Sequence, residues 1–188
     1  MLRNKGIKFF LICMLVVFCV GVVVGSVYAV GISGDAEKDI QNYLNNFFLG
    51  ERRVGKDIFI SSLLNNLKIF SVIFIAGFFK LGIPFTLGIG CVQGFTSGFT
   101  ASALIKIMGW KGLFVNLSSL FSVLIFVLDL MFFGAFSMNY ATFELKNDID
   151  LKKKYIFSSL FFLTIFCVAS FFDGYITTIF MNWIVTKM

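Results

Sequence analysis

The chain has 188 residues, of which 59% are hydrophobic, 18% are aromatic and only 14% are charged, with a mean hydropathy of +0.93. A soluble domain is roughly half apolar and about a quarter charged, so this composition excludes a soluble globular domain, and the low charge excludes a disordered chain. The net charge of +6 comes from basic residues that flank apolar runs rather than from a basic patch, which argues against nucleic-acid binding.

Apolar runs along the chain predict an all-α, polytopic transmembrane bundle with about five spans. A hydrocarbon core about 30 Å thick requires roughly 20 residues of helix. The predicted spans, within a single domain covering residues 1–188, are 7–30, 67–79 (with an alternative start at 58), 83–105, 112–136 and 156–185.

The first span, residues 7–30, follows a basic start that contains Arg3 and Lys5. A basic start before an apolar run also occurs in signal peptides, and Val27-Tyr28-Ala29 resembles a cleavage site. Because the apolar run is long for a signal peptide, we expect a retained transmembrane helix, with cleavage as the alternative.

Residues 31–66 form the only sizeable segment outside the predicted spans, and we expect it to be extracytoplasmic. Part of it has the periodicity of an amphipathic helix. The apolar positions on its one face are Ile40, Tyr43, Leu44, Phe47 and Phe48. This face indicates either a helix on the outer membrane surface or a docking face for an extracytoplasmic partner, and the two are compatible.

A break that contains Lys80, Gly82 and Pro84 separates the second predicted span from the third. Pro84 is the only proline in the chain, and glycine with proline is typical of a tight turn. The alternative is that the two runs form one re-entrant hairpin.

Small residues recur every four positions along the third span. They are Thr86, Gly90, Gly94, Gly98 and Ser102. Such a stripe lets another helix approach backbone to backbone, so it predicts helix packing; a pore or lipid groove is the alternative. Gln93 adds a polar group inside this span that requires a partner.

Ionisable residues inside spans are functional candidates because a charge in the hydrocarbon region is costly. Asp129 lies in the fourth span and Asp173 in the fifth, while Lys80 and Lys106 lie at span ends. Matching by depth predicts the pairs Lys80–Asp129 and Lys106–Asp173. A structural role is the simpler interpretation, and a proton or ion pathway is the alternative.

Basic residues in the short flanks predict the orientation. One cluster, Arg3, Lys5 and Lys8, precedes the first span, and another, Lys146 with residues 152–154, lies between the fourth and fifth. Five spans with a cytoplasmic N-terminus place both clusters inside, and the C-terminus outside.

No run in the sequence supports catalysis or metal binding. The chain has no histidine, its four cysteines lie inside apolar runs without a CxxC motif, and it has no GxSxG, HExxH or phosphate-binding loop. We therefore expect a protein that is not an enzyme and that uses no cofactor.

Several motifs resemble the stage II sporulation protein M family, in which an acidic residue followed by an aromatic one recurs in the last span. The motifs are Asn65-Asn66-Leu67-Lys68, Gly82-Ile83-Pro84, Gly94-Phe95-Thr96-Ser97-Gly98-Phe99, Gly109-Trp110-Lys111-Gly112 and Phe172-Asp173-Gly174-Tyr175-Ile176. The number of predicted spans and the segment after the first span also match that family.

This resemblance implies a membrane anchor in endospore formers, located in the septal or engulfing membrane. Its partners would be the stage II sporulation proteins D and P, which are cell-wall hydrolases that remodel peptidoglycan during engulfment, and self-association into a homo-oligomer stays open. The rival hypothesis is a transporter or permease component that moves a lipid or small solute, suggested by the polar third span and the buried acids.

Overall fold

The computed structural model describes residues 4–49, 55–142, 149–177 and 179, and every regular element in these ranges is helical. The elements, in chain order, are α1 (Asn4–Gly31), α2 (Asp35–Leu49), α3 (Gly55–Ala76), α4 (Gly82–Met108), α5 (Trp110–Thr142), α6 (Ile149–Phe171) and a π-helical turn (Phe172–Thr177). The all-α fold class expected from the sequence is therefore confirmed.

Within the described ranges, four helical segments are long and apolar enough to cross a membrane. They are Gly6–Gly31, Lys56–Ala76, Trp110–Thr142 and Ile149–Ile176. Helix α4 has 27 residues, about 40 Å at 1.5 Å per residue, but its glycine, serine and threonine residues lower its hydropathy. Its assignment as a fifth span stays a prediction.

Helix α3 begins at Gly55, three residues before the alternative start at 58 of the second predicted span, whose bounds stay a prediction. Its 22 residues extend about 33 Å, and a short turn at residues 77–81 joins it to α4. Two helices of this length favour two separate spans over one re-entrant hairpin. Pro84 lies in the first turn of α4, where its missing N–H is not needed for the helix.

The spanning helices form two packed groups that share α5. Helix α4 lies along α1 and against α5, whereas α3 lies against α6 and the π-helical turn. Helix α5 contacts members of both groups and has a long buried stretch in its second half. Helix α2 has no extensive packing with any other described helix.

An apolar core lies where the second halves of α3, α5 and α6 meet the first half of α1. Its buried members are Met14, Phe70, Ile73, Leu130, Phe133, Met138 and Phe166. The rings of Phe70 and Phe133 stack with their centroids 4.7 Å apart, and Phe166 packs edge-on against both. Stacked and edge-on aromatic pairs of this kind stabilise a core beyond their buried area.

The last turn of α3 is held to its neighbours by side-chain hydrogen bonds. The Tyr155 hydroxyl donates to the Phe74 carbonyl at 3.0 Å, and the Ser137 hydroxyl donates to the Ile73 carbonyl at 2.8 Å. The Ile73 carbonyl also accepts from the Gly77 amide at 3.1 Å, so Ser137 is its second donor. Carbonyls at a helix end can lack partners within the helix, and the Tyr155 hydroxyl supplies a donor to the Phe74 carbonyl there.

Candidate functional site

A polar cleft of about 370 Å³ lies in the half of the bundle that the apolar core does not fill. Helices α3, α4, α5 and α6 and the π-helical turn all contribute to its walls. The polar residues that line it are Ser61, Ser62, Asn65, Asn66, Gln93, Ser97, Ser122 and Asp173. Such a concentration of polar side chains within a membrane bundle makes this cleft the candidate functional site.

Asp173 is the charged residue of the cleft, and it connects three elements. One carboxylate oxygen accepts a hydrogen bond from the Ser62 hydroxyl of α3 at 2.9 Å. The other accepts from the Ser122 hydroxyl of α5 at 2.6 Å. Both oxygens of the carboxylate are therefore oriented by neutral donors from neighbouring helices.

The position of Asp173 depends on a close contact between the π-helical turn and α3. A Cβ atom added at Gly174 would lie 2.4 Å from Cβ of Phe59, so only glycine allows this approach. Phe59 precedes Ser62 by one helical turn, and the contact therefore brings Asp173 within reach of the Ser62 hydroxyl. Single π-helical turns inside α-helices frequently occur at functional sites.

A second polar contact closes the base of the cleft. The Asn66 side-chain amide donates to the Ser170 hydroxyl at 2.9 Å, and both residues are buried. Ser62 and Asn66 are four residues apart on α3, whereas Ser170 and Asp173 are three residues apart on the facing element. The two polar residues of α3 therefore lie at the same heights as the two polar residues of the facing element, so that each pair forms a hydrogen bond.

Asp129 lies outside the cleft lining, seven residues beyond Ser122 on α5 and thus about 10 Å further along the helix axis. It is 3% exposed, and neither carboxylate oxygen accepts a hydrogen bond from a described residue. The predicted Lys80–Asp129 pair is therefore not formed. The Thr86 hydroxyl and the Asn139 side-chain nitrogen are also buried without a hydrogen-bond partner in the described part of the chain.

Lys106 contacts the connection between α1 and α2 rather than Asp173. Its Nζ atom donates to the carbonyls of Val30, at 3.1 Å, and Ile32, and lies 3.6 Å from Oε2 of Glu37. The predicted Lys106–Asp173 pair was wrong, because the end of α4 lies beside the end of α1. Lys106 thus ties α2 to the end of the bundle.

The small-residue stripe of α4 lies mainly against α1. A Cβ atom added at Gly94 would lie 2.3 Å from the Phe18 carbonyl oxygen, and one at Gly98 would lie 2.2 Å from the Val22 carbonyl oxygen. Two helices can approach this closely only where side chains are absent. Of the other members, Gly90 faces Met14, Thr86 is fully buried against α5 and Ser102 is half-buried.

The predicted docking residues Ile40, Tyr43, Leu44, Phe47 and Phe48 all belong to α2. Ile40 is half-buried. The side chains of residues 43–49 lie outside the described part of the structure, so the docking face stays a prediction.

The described residues contain no group of three or more His, Cys, Asp or Glu side chains that could hold a metal ion. All four cysteines are free thiols, and Cys19 and Cys167 are exposed on the outside of the bundle. The described lining of the cleft contains one carboxylate surrounded by hydroxyl and amide groups, and these groups can form hydrogen bonds with a small polar ligand.

A sequence model described as stage II sporulation protein M matches residues 14–178, which is most of the chain. The chain belongs to the stage II sporulation protein M family. No curated protein and no solved structure matches it. Family membership, together with the apolar helices, identifies a multi-pass membrane protein of a sporulation family.

Sequence reasoning identified Asp173 and Gln93 but missed Ser62, Ser122 and Asn66 as members of the cleft. The sequence contains a signal for two of them, because Ser62 and Asn66 recur at four-residue spacing on one face of a helix that is mostly apolar. No sequence signal connects Ser122 to Asp173, which lies 51 residues further along the chain.

Proposed function

We propose that this protein is a non-enzymatic membrane scaffold that anchors and localises peptidoglycan hydrolases during engulfment in endospore formation. Membership of the sporulation family supports the process. The observation that carries the proposal is the position of α2: Lys106 holds its start at one end of the bundle, and its described contacts with the other helices are few. A helix presented in this way is suited to contact a partner beyond the membrane.

The proposed partners are the stage II sporulation proteins D and P, as the family resemblance implies. Their contact would be the apolar face of α2, whose predicted members run from Ile40 to Phe48. Burial of several large apolar side chains in a partner groove is a common way for an amphipathic helix to bind. The scaffold would then determine where the hydrolases act, without any chemistry of its own.

Co-purification of both hydrolases with charged variants of α2 tests the docking face. The double variant Tyr43→Glu/Phe47→Glu places charges on the apolar face, and we expect recovery of the hydrolases to fall at least roughly tenfold, because burying unpaired charges is costly. The matched control is Asn42→Glu/Asn45→Glu, which adds the same charge to the opposite face. Equal recovery with both double variants would contradict the docking face.

Deletion of the protein in a sporulating cell tests the role itself. We expect engulfment to stop and a fluorescently tagged hydrolase to spread away from the septal membrane. Normal engulfment without this protein would exclude the scaffold role in this process, whatever the behaviour of α2.

The polar cleft gives the transporter hypothesis one specific supporting observation. Flux of a lipid or small solute in reconstituted vesicles, lost on Asp129→Asn or Asp173→Asn, would favour that function over a scaffold. Transporters commonly contain repeated halves with a broken helix in each. The described bundle has one π-helical turn, near the end of its last spanning helix, and the scaffold is therefore the better-supported proposal.

A further inference from the structure

We propose that the cleft around Asp173 binds a primary ammonium group, carried by a phospholipid headgroup or by a small free amine. This binding site is independent of the scaffold role, because it uses the interior of the bundle rather than α2. Four properties of the cleft support it: its charge, its hydrogen-bonding pattern, its size and its position.

The charge of the cleft favours a cationic ligand. Asp173 contributes its carboxylate, and no lysine or arginine in the described ranges pairs with it. Lys106, the basic residue at the end of α4, is engaged by Glu37 and by backbone carbonyls. A carboxylate within a membrane bundle is stabilised by a cationic partner, so an ammonium group would offset its charge.

The hydrogen-bonding pattern favours a ligand that donates. The hydroxyls of Ser62 and Ser122 use their hydrogens on Asp173, which leaves their lone pairs as acceptors. The Ser97 hydroxyl likewise donates to the Gln93 backbone carbonyl at 2.8 Å. The side-chain amides of Asn65 and Gln93 contribute further acceptor oxygens to the lining. A primary ammonium carries three donors and no acceptor, so it complements these oxygens together with the carboxylate.

The size of the cleft indicates a molecule rather than a bare ion. Its volume of about 370 Å³ falls in the range of about 300–1,000 Å³ that is usual for small-molecule sites. Divalent cations require several oxygen ligands, commonly with more than one carboxylate, and Asp173 is the only carboxylate among the described residues that line the cleft. An aminoethyl group with its hydration fits this volume and this single charge.

The position of the cleft makes it accessible. Ser61, Asn65 and Val123 line it and are exposed at the protein surface. Ser62 lies seven residues from the start of α3, about 10 Å along the helix axis, a depth that a lipid headgroup can reach from the interfacial layer. A small free amine is the alternative occupant of the same opening.

Lipid titration monitored by native mass spectrometry tests the proposal on the delipidated full-length protein. The probes are phosphatidylethanolamine and phosphatidylcholine with identical acyl chains, which differ in that the second headgroup has no N–H donor. We expect phosphatidylethanolamine to bind roughly tenfold more tightly, as a charge-assisted hydrogen bond implies. Ethanolamine alone is the probe for the free-amine source.

Two variants and one control assign the binding to the cleft. Asp173→Asn removes the charge, and Ser97→Leu fills the cleft from α4 without touching the carboxylate; we expect either to abolish the preference. Asp129→Asn, which changes a buried carboxyl outside the lining, should leave it unchanged.

The possible results distinguish a lipid headgroup from a free amine, and both from a cleft that binds neither. A preference for phosphatidylethanolamine that both cleft variants abolish identifies a lipid headgroup. Ethanolamine binding that both variants abolish, without a lipid preference, identifies a free amine. Equal binding of the two lipids with no ethanolamine binding would overturn the proposal, and so would a preference that survives Ser97→Leu.

Discussion

The carboxylate of Asp173 joins helices whose residues are far apart in the sequence. Ser62 precedes it by 111 residues and Ser122 by 51, yet both hydroxyls reach it. Such a shared acceptor holds α3, α5 and the π-helical turn in one arrangement. Its role as a structural tie and its role as a binding group are compatible, because an oriented carboxylate binds a ligand without having to reorganise.

Substitution of Asp173 measures how much its two hydrogen bonds contribute to the free energy of unfolding. We expect Asp173→Ala to lower the free energy of unfolding by about 1–2 kcal/mol, since hydrogen bonds in membrane proteins contribute on average about 0.6 kcal/mol each and two are lost. Asp173→Asn keeps one good acceptor and should lose about half as much. Thermal unfolding of the purified protein in detergent checks both values.

Asp129→Asn is the matched control for that series, because neither oxygen of Asp129 accepts a hydrogen bond from a described residue. We expect it to be close to neutral, since the substitution removes no hydrogen bond of the described structure. A larger loss of unfolding free energy for Asp129→Asn than for Asp173→Ala would show that Asp173 is not the carboxyl that stabilises the bundle.

At the level of elements, α1 and α4 behave as a pair whose backbones touch. Sequence patterning predicted a small-residue stripe for packing, but it could not indicate which helix lies against it. The structure places the stripe mainly against α1, where Phe18 and Val22 present their carbonyls to Gly94 and Gly98. Large side chains elsewhere on α4, such as Phe85 and Val92, are exposed on the outside of the bundle.

Insertion of a large side chain into the stripe should separate this pair. We expect Gly94→Leu to destabilise the protein by about 3 kcal/mol or more, because the clash is with backbone atoms that cannot turn away. Gly88→Leu is the matched control, since no atom lies within 4 Å of a Cβ atom added there. Equal unfolding temperatures for the two variants would contradict the backbone contact.

The attachment of α2 depends on a few polar contacts at its start. Lys106 bonds the end of α1 and pairs with Glu37, and both side chains of the pair are partly exposed. An ion pair of this exposure contributes at most about 1 kcal/mol. The described contacts of α2 are therefore weak, which suits an element that adjusts to a partner.

Removal of the Lys106 side chain tests this attachment. We expect the backbone amides of α2 in Lys106→Ala to exchange hydrogen about fivefold faster, as a loss of about 1 kcal/mol implies, while exchange in α5 stays unchanged. Lys111→Ala is the control, because Lys111 carries the same charge nearby and pairs with no described residue. Unchanged exchange in α2 would show that other contacts hold it.

For the whole molecule, the sequence predicted the membrane class, the helical segments and the family, since all three depend on local composition and motifs. The division into an apolar half and a polar half was not predictable, because it depends on which helices are neighbours. Both predicted ion pairs were wrong for this reason. They were based on matching depth along the spans, and the sequence does not show which helices are neighbours around the bundle. The Ser122 hydroxyl, which no sequence pattern singles out, therefore donates to Asp173, whereas Lys106 contacts other residues.

The packing also groups the helix ends in a way that bears on orientation. The end of α1 lies beside Lys106 at the end of α4, whereas Gly6 near the start of α1 faces Asn139 near the end of α5. Helices α1 and α4 therefore run in the same direction, and α5 runs in the opposite one. Together with the basic clusters, this arrangement predicts that α2 is outside and the start of α6 is inside.

Labelling of single cysteines on intact cells tests this orientation. In a variant with Cys13, Cys19, Cys91 and Cys167 replaced by alanine, a cysteine at Lys38 should react with a membrane-impermeant maleimide, and one at Lys153 should react only after the cells are permeabilised. Both positions are exposed at the protein surface, so a difference in reactivity reports the side of the membrane rather than burial. The reverse pattern would place α2 in the cytoplasm, where it could not meet cell-wall hydrolases, and would remove the scaffold proposal together with the predicted orientation.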